Sequence, residues 1–203
     1  GQTIGHGLGV APNVIITKSR TTSNRYWGMY HSSLGNTGSF ALNDTQAFDT
    51  SATYWNNTTP SSSLFTVGTN GDTNTSGTMI AYCFAEKKGY SKFGTYEGNG
   101  VASGGGPFIY LGFRPAWFLL KENGSDAWTL MDNKRLGYNK LNHHLFPDNS
   151  NVEYASDRIE LRSNGVKVID NDGSINQDGQ TYIYMAFAES PFVNSNGVPN
   201  NAR

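Results

Sequence analysis

Two pairs of matching segments decide the fold of this 203-residue chain: GVAPNVIITK (9–18) matches GFRPAWFLLK (112–121), and TMIAYCFAE (78–86) matches TYIYMAFAE (181–189). Both pairs are separated by 103 residues, and two independent segments rarely share one offset by chance. Self-similarity at a fixed spacing is the signature of a repeated structural unit. The sequence therefore predicts two tandem internal repeats of about 100 residues.

Each repeat has the pattern of short strands joined by turns. Asn13–Lys18 and Trp117–Lys121 are apolar runs that follow a Gly-x-x-Pro turn, as buried strands do. The 24 glycines and turn signals such as Asn123-Gly124 predict many tight connections. Because no segment shows a sustained helical period, the sequence predicts an all-β, antiparallel β-sandwich-type fold.

The domain organisation follows from the repeats and from one Gly-rich stretch between them. We expect a first β repeat at 1–93, a Gly-rich joint at 94–106, a second β repeat at 107–193 and a polar C-terminal tail at 194–203. Glycine contributes little to a core and turns easily, which suits it to such a joint.

Composition excludes several classes of protein. The net charge is −1, so the chain has no basic excess with which to bind nucleic acid. Aromatic residues make up 13% of the chain, which argues against disorder. No apolar stretch is long enough to insert into a membrane as a helix. The single Cys83 excludes a disulfide framework and a Cys-based zinc site within the chain.

Two acidic residues raise the question of catalysis. Glu86 and Glu189 occupy equivalent positions after a Phe-Ala strand end. Glycoside hydrolases use a pair of carboxylates on either side of the scissile bond, which makes a polysaccharide depolymerase or glycoside hydrolase one alternative. The other interpretation is that each carboxylate pairs locally with a turn N–H or with Lys18 or Lys121. We favour the second and predict no catalytic residue.

A loop near the C-terminus has the pattern of a calcium site. Oxygen-bearing side chains alternate along it, at Asp170, Asp172, Ser174, Asn176 and Asp178. Calcium takes six to eight such oxygen ligands, so Ca²⁺ is the cofactor that this loop would hold. An Asx-rich hairpin turn would show the same composition, and both interpretations stay open.

Aromatic and histidine residues outside the strand runs are the candidates for ligand binding. Carbohydrate-binding β-proteins stack aromatic rings on the C–H face of a sugar, and loops carry function more often than core strands. On this basis the predicted ligand-binding residues are Tyr54, Trp55, Asn56, Tyr138, His143 and His144.

Five stretches resemble a duplicated, β-rich module of bacteriophage proteins, from marine phages and environmental sequences. They are GHGLGVAP (5–12), YWNNT (54–58), AYCFA with GYSKFG (81–85 and 89–94) and GFRPAW (112–117). The module resembles the C-terminal part of tail-fibre-like or other virion appendage proteins. The resemblance brings no catalytic or ligand-binding residue to carry over.

The resemblance and the composition together set the functional expectation. We expect a non-catalytic virion appendage module at the virion surface, in extracellular space, that attaches to the host by binding a surface glycan. A polysaccharide depolymerase and a purely structural virion protein are the alternatives. The expected partners are a host-surface glycan or other virion proteins. Because appendage proteins of this kind are usually trimers, the resemblance implies a homotrimer of the parent protein.

Overall fold

The computed structural model describes residues 1–135, 140–191 and 196, and the side chains of residues 140–142 are not part of that description. The chain forms two compact units, Gly1–Ala85 and Glu86–Arg203. Within the described ranges, no helix is long and apolar enough to cross a membrane.

The first unit contains seven strands and one short helix. These are β1 (Gln2–Gly5), β2 (Val14–Ser19), β3 (Gly28–His31), β4 (Gly35–Ala41), β5 (Asp49–Thr50), α1 (Ala52–Trp55), β6 (Leu64–Val67) and β7 (Met79–Phe84). Five strands form one antiparallel sheet in the order β5-β4-β3-β2-β7, and β1 pairs with β6 in a separate ribbon.

The core of the first unit brings together the sheet, the ribbon and the helix. The sheet contributes Ile15 and Tyr30, and β6 contributes Phe65 and Val67. Helix α1 adds Tyr54 and Trp55 to the same cluster. Because the apolar run 14–16 is almost fully buried, β2 forms the centre of the unit, as expected of a continuous apolar strand.

In its described residues, the second unit contains eight strands and one short helix. These are β8 (Ser91–Glu97), β9 (Phe108–Tyr110), β10 (Pro115–Glu122), β11 (Thr129–Asp132), β12 (Lys140–His144), β13 (Tyr154–Arg162), β14 (Gly165–Val168), α2 (Gly173–Asn176) and β15 (Thr181–Ala188). They form two four-stranded antiparallel sheets, in the orders β11-β10-β15-β8 and β12-β13-β14-β9.

The two sheets of the second unit enclose one hydrophobic core, as in a β-sandwich. Phe118 and Tyr184 come from the first sheet, and Ile159 and Val166 from the second. Burying a large apolar side chain of this kind stabilises a fold by roughly 1.5–3 kcal/mol. Strands make up 43% of the described residues and helices 4%. The predicted all-β, antiparallel, sandwich-type fold is confirmed.

Corresponding strands of the two units pair in the same register. Val14 lies opposite Phe84 in the first unit, and Trp117 lies opposite Phe187 in the second. The offset of 103 relates the two pairs. The same relation holds along β2–β7 and β10–β15, so the segments that match in sequence also match in strand pairing.

The boundary between the units differs from the expected one. The sequence places the first repeat at 1–93 and the joint at 94–106, whereas the second unit begins at Glu86. The strand Ser91–Glu97 crosses the expected boundary and pairs with β15 along its whole length. Phe93 anchors it, because its ring is 6% exposed and packs edge-on against Phe187 at 5.9 Å.

Equivalent lysines close the hairpin after the first matched strand of each unit. Lys121 is fully buried, and its Nζ donates to the carbonyl oxygens of Glu122, at 2.8 Å, and Gly124. In the first unit, Lys18 Nζ donates to the Arg25 carbonyl and lies 5.7 Å from the centre of the Trp27 ring. In both units the ammonium group binds a carbonyl of the hairpin loop.

Candidate functional site

The aromatic pair Tyr54-Trp55 lies in the core of the first unit, which corrects its assignment as a surface ligand site. Ser51 caps the one-turn helix α1, and Asn56 ends it in a left-handed conformation with φ of 53°. This turn buries Trp55 to 1% exposure, edge-on to Tyr30 at 5.8 Å. Tyr54 donates a hydrogen bond to the Asp49 carboxylate at 2.6 Å. A buried ring has no free face for a sugar.

The predicted histidines lie on β12, and Tyr138 lies outside the described residues. His143 is half-buried, whereas His144 is fully buried against the rings of Phe146 and Tyr154, at 5.0 and 5.3 Å. Burial and the nearby charge of Arg158 lower the pKa of His144 from 6.5 to about 4. An uncharged imidazole inside the unit packs as an aromatic ring and is closed to a ligand in solvent.

The acidic loop predicted to hold calcium is organised around the guanidinium of Arg158. This side chain is buried, and its Nη1 lies 2.5 Å from an Asp172 carboxylate oxygen and 3.0 Å from Ser174 Oγ. Its Nε lies 3.7 Å from Asp170. Burial acts to raise the pKa of Asp172, but hydrogen bonds from Arg158 and Ser174 outweigh it and lower the pKa to about 2. Arg158 thus supplies the positive charge next to these carboxylates.

The other two predicted calcium ligands are a buried residue with internal hydrogen bonds and an exposed one. Asn176 is fully buried; its amide donates to the carbonyls of Val101 and Asp170, and its oxygen accepts from Asn99 N at 2.9 Å. Asp178 is exposed. In the described part of the chain, no three His, Cys, Asp or Glu side chains are grouped so that they could hold a metal ion. The loop therefore favours the Asx-turn interpretation, and a calcium ion there stays a prediction.

The two strand-end glutamates have different surroundings. Glu189 forms an ion pair with Arg114 Nε at 3.0 Å and accepts from Asn133 Nδ2 at 2.9 Å. Arg114 is itself buried and donates to the Leu161 carbonyl. Glu86 is exposed and accepts from Phe93 N at 3.5 Å. Glu189 therefore helps to join the two sheets, and Glu86 faces a surface cleft.

This cleft is the candidate functional site. It has a volume of about 250 Å³ and lies in the second unit between the segment that leads into β8 and the segment that follows β9. Its lining consists of Glu86, Lys88, Gly89, Ser91, Lys92, Tyr110, Leu111, Gly112 and Phe113. Two stretches quoted above, 89–94 and 112–117, contribute to this one cleft although they are distant in sequence.

Tyr110 supplies an exposed aromatic ring at the cleft. Along β9, Ile109 points into the core, and Phe108 and Tyr110 point outward with 46% and 60% exposure. Gly112 lies near the ring: a Cβ there would be at ordinary contact distance, 3.6 Å, from the Tyr110 hydroxyl oxygen, and the φ of +79° disfavours other residues. The Tyr110 side chain therefore presents most of its surface to solvent.

Charged groups surround this ring. Lys92 Nζ donates to the Tyr110 carbonyl at 3.0 Å and lies 5.3 Å from the centre of the ring, within cation–π distance. Glu86 and Lys88 are exposed on the lining. Two ammonium groups and one carboxylate thus provide hydrogen-bond donors and an acceptor beside an aromatic surface.

A second, more open cleft of about 480 Å³ is lined by carboxylates and small residues. Asp157, Glu160 and Asp170 line it together with residues 102–104 and Ile169. Glu160 pairs with Arg162, and Asp170 lies near Arg158. This cleft has no aromatic ring in its lining, so it lacks the stacking surface of the first.

Comparison with known proteins assigns the chain to a family. Residues 1–191 match the model of DUF7483, a domain of unknown function. The chain belongs to this family. The DUF7483 match covers all of the first unit and the second unit through β15, so the family is defined by both units together. No curated protein and no solved structure matches the chain.

The residues that form the DUF7483 cleft were not among the predicted ligand-binding residues. Tyr110 belongs to the alternating run Phe108-Ile109-Tyr110, which indicates a strand with one buried face. The sequence pattern alone does not reveal that the face with two aromatic residues is the one in solvent.

Proposed function

We propose that this chain is a non-catalytic module of a phage virion appendage and that it attaches to a host-surface glycan. The observation that carries the proposal is the 60% exposed side chain of Tyr110, which lines one cleft together with Lys92 and Glu86. Binding sites for small polar ligands combine an apolar or aromatic surface with a few polar groups that fix orientation. The virion origin rests on the resemblance of the sequence motifs to phage appendage modules.

The charge of the cleft favours an acidic saccharide. The ring offers an apolar face to the C–H groups of a pyranose, and Glu86 can accept hydrogen bonds from sugar hydroxyls. The ammonium groups of Lys88 and Lys92 outnumber the single carboxylate in the lining. A uronic acid or another carboxylated sugar would place its negative charge near these lysines.

The glycoside hydrolase alternative requires two carboxylates on either side of one bond. In the lining of the proposed site, Glu86 is the one carboxylate, and Glu189 is engaged by Arg114. The second cleft has three carboxylates, two of which are neutralised by arginines. Release of reducing ends from an uronate-containing polysaccharide, lost on Glu160→Gln, would favour the enzyme over the binding module.

The binding proposal is tested on an array of bacterial surface polysaccharides and acidic oligosaccharides. We expect the full chain to bind carboxylated glycans, and we expect Tyr110→Ala to weaken this binding by about tenfold or more, as removal of an aromatic anchor does. Tyr26→Ala is the matched control, because Tyr26 is an exposed tyrosine of the first unit. Equal binding by wild type and Tyr110→Ala would refute the site.

The structural-protein alternative and the virion origin need separate measurements. No binding to any glycan on a broad array would favour a purely structural virion protein. Mass spectrometry of purified phage particles tests whether the parent protein is part of the virion, and its absence from the particles would refute the appendage role. Light scattering of the parent protein tests the expected homotrimer.

A further inference from the structure

Within the described part of the chain, strand β7 is an open edge of the five-stranded sheet in the first unit. It pairs with β2 on one side and is the last strand in the sheet order. Arg20 N donates to the Thr78 carbonyl, and backbone groups in an antiparallel pair alternate between the two sides of a strand. The backbone groups that form hydrogen bonds with β2 are therefore those of Ile80, Tyr82 and Phe84. Alternate residues of β7 direct their N–H and C=O groups outward: Met79, Ala81 and Cys83.

The composition of β7 is unusual for a free edge. Natural proteins protect edge strands with charged residues, prolines or bulges, because an unprotected edge pairs with other chains. The strand reads Met-Ile-Ala-Tyr-Cys-Phe, with no charged residue and no proline. Tyr82 is 44% exposed, and Ala81 is exposed as well. Strand β7 therefore has the apolar composition of an interior strand although it lies at the edge of its sheet.

The second unit shows how the matched strand is covered. β15 pairs with β10 in the register that β7 has with β2, and its other side is paired with β8 over seven residues. Met185, the counterpart of Tyr82, is 3% exposed. β8 contains Lys92 and Glu97, so it carries the charges that an outer edge requires.

We propose that the free edge of β7 binds an extended segment of the β8 type, supplied by another domain of the same family. The segment would add to β7 as β8 adds to β15, which is recognition by strand addition. In this register Cys83 lies opposite the Lys92 position, because the counterpart of Cys83, Ala186, lies opposite Lys92. Tyr82 lies opposite the Phe93 position, where an aromatic ring would cover it.

The single cysteine of the chain allows a test of the register. The probe is a synthetic peptide of residues 88–98 with Lys92→Cys, activated as a mixed disulfide with thionitrobenzoate. If it binds as proposed, the Cys83 thiolate attacks the peptide sulfur, the new disulfide forms and coloured thionitrobenzoate leaves. Directly opposed residues of a hydrogen-bonded antiparallel pair have Cα atoms about 5.5 Å apart, within the range of about 4.4–6.8 Å for a disulfide.

The matched control peptide carries Ser91→Cys. Neighbouring side chains of a strand point to opposite faces, so this cysteine would point away from Cys83. With the full 203-residue chain in excess, we expect the Lys92→Cys peptide to react about tenfold faster or more and with saturation, because binding precedes exchange. Adding Gly94→Pro to the reactive peptide removes an N–H that faces β7 and should abolish the advantage. The Cys83→Ser protein defines the background.

Three results would overturn the proposal. The first is equal reaction rates for the two cysteine peptides, and the second is a rate for the Lys92→Cys peptide that rises linearly without saturation. The third is a concentration-dependent dimer of the chain, detected by light scattering, that Ala81→Pro disrupts and the unlabelled peptide 88–98 leaves intact. That third result would show that the edge pairs with a second copy of β7 instead of a β8-type segment.

Discussion

Replacement of Trp55 by alanine distinguishes a core residue from a ligand-binding residue. The side chain is 1% exposed and belongs to the cluster that contains Tyr30, Phe65 and Val67. Truncation of a fully buried tryptophan leaves a cavity that the surroundings fill only in part, at a cost of about 3–5 kcal/mol. Because small domains have total stabilities of about 5–15 kcal/mol, Trp55→Ala should remove much of the stability of the first unit.

Replacement of Trp55 by phenylalanine should cost much less. The indole Nε1 is buried, and no described residue accepts a hydrogen bond from it. An unsatisfied buried donor costs about 1–3 kcal/mol, and Trp55→Phe removes that donor while it keeps an aromatic ring in the core. This gain offsets part of the lost contact area. We expect a net loss of about 1 kcal/mol, well below that of alanine.

Urea unfolding followed by far-UV circular dichroism measures both effects. Tryptophan fluorescence is unsuitable, because Trp55 is one of four tryptophans and its removal changes the signal itself. Tyr26→Ala, at a 39% exposed site, is the control and should stay within about 0.5 kcal/mol of wild type. A Trp55→Ala protein with wild-type stability and lost glycan binding would refute the core assignment.

Two further predictions concern the backbone and pH. A Cβ at Gly68 would lie 2.1 Å from the Thr53 carbonyl oxygen, whereas a Cβ at Gly5 would have its nearest neighbour 3.9 Å away. Gly68→Ala should therefore destabilise the protein by about 2 kcal/mol or more in thermal melts, and Gly5→Ala by less than about 0.5 kcal/mol. Equal effects of the two substitutions would contradict this. The pKa of His144 is about 4 in the folded chain and 6.5 in the unfolded chain. Between these pH values the unfolded chain binds a proton at His144 that the folded chain does not bind. The free energy of unfolding should therefore fall by up to about 3 kcal/mol as the pH drops from 6.5 to 4. His144→Phe should flatten this loss in urea titrations, and an unchanged pH profile would refute the assignment.

The central strands could be predicted from the sequence because their signal is local. Asn13–Lys18 was expected from a continuous apolar run, and the strand is Val14–Ser19. Trp117–Lys121 was expected, and the strand is Pro115–Glu122. In each case the run of apolar residues that indicates the strand also forms the core, so local pattern and tertiary packing agree.

The position of the aromatic pair at Tyr54-Trp55 could not be predicted in the same way. One turn of helix is too short to produce a hydrophobic period. Its ends depend on the Ser51 cap and on the left-handed Asn56, and both residue types are equally common in loops. Loop-like composition therefore concealed two core residues.

The candidate site depends on contacts that are distant in sequence. Lys92 reaches the Tyr110 ring because β8 begins and β9 ends at the same cleft. The two strands belong to different sheets, so their meeting depends on tertiary packing. The acidic loop also depends on a contact that is distant in sequence: Asp170 and Asp172 form ion pairs with Arg158, which lies on β13. The carboxylates of the loop were visible in the sequence, but the guanidinium group that pairs with them was visible only in the structure.

The lysine-closed hairpins have a consequence for engineering. Nine residues separate Lys18 from Gly28, and seven separate Lys121 from Thr129, yet a lysine ammonium binds a loop carbonyl in both. A long, flexible side chain can reach carbonyls in loops of different length without moving the strands. This makes each hairpin tip an insertion point, where a peptide epitope or a second binding loop could be grafted onto an unchanged scaffold.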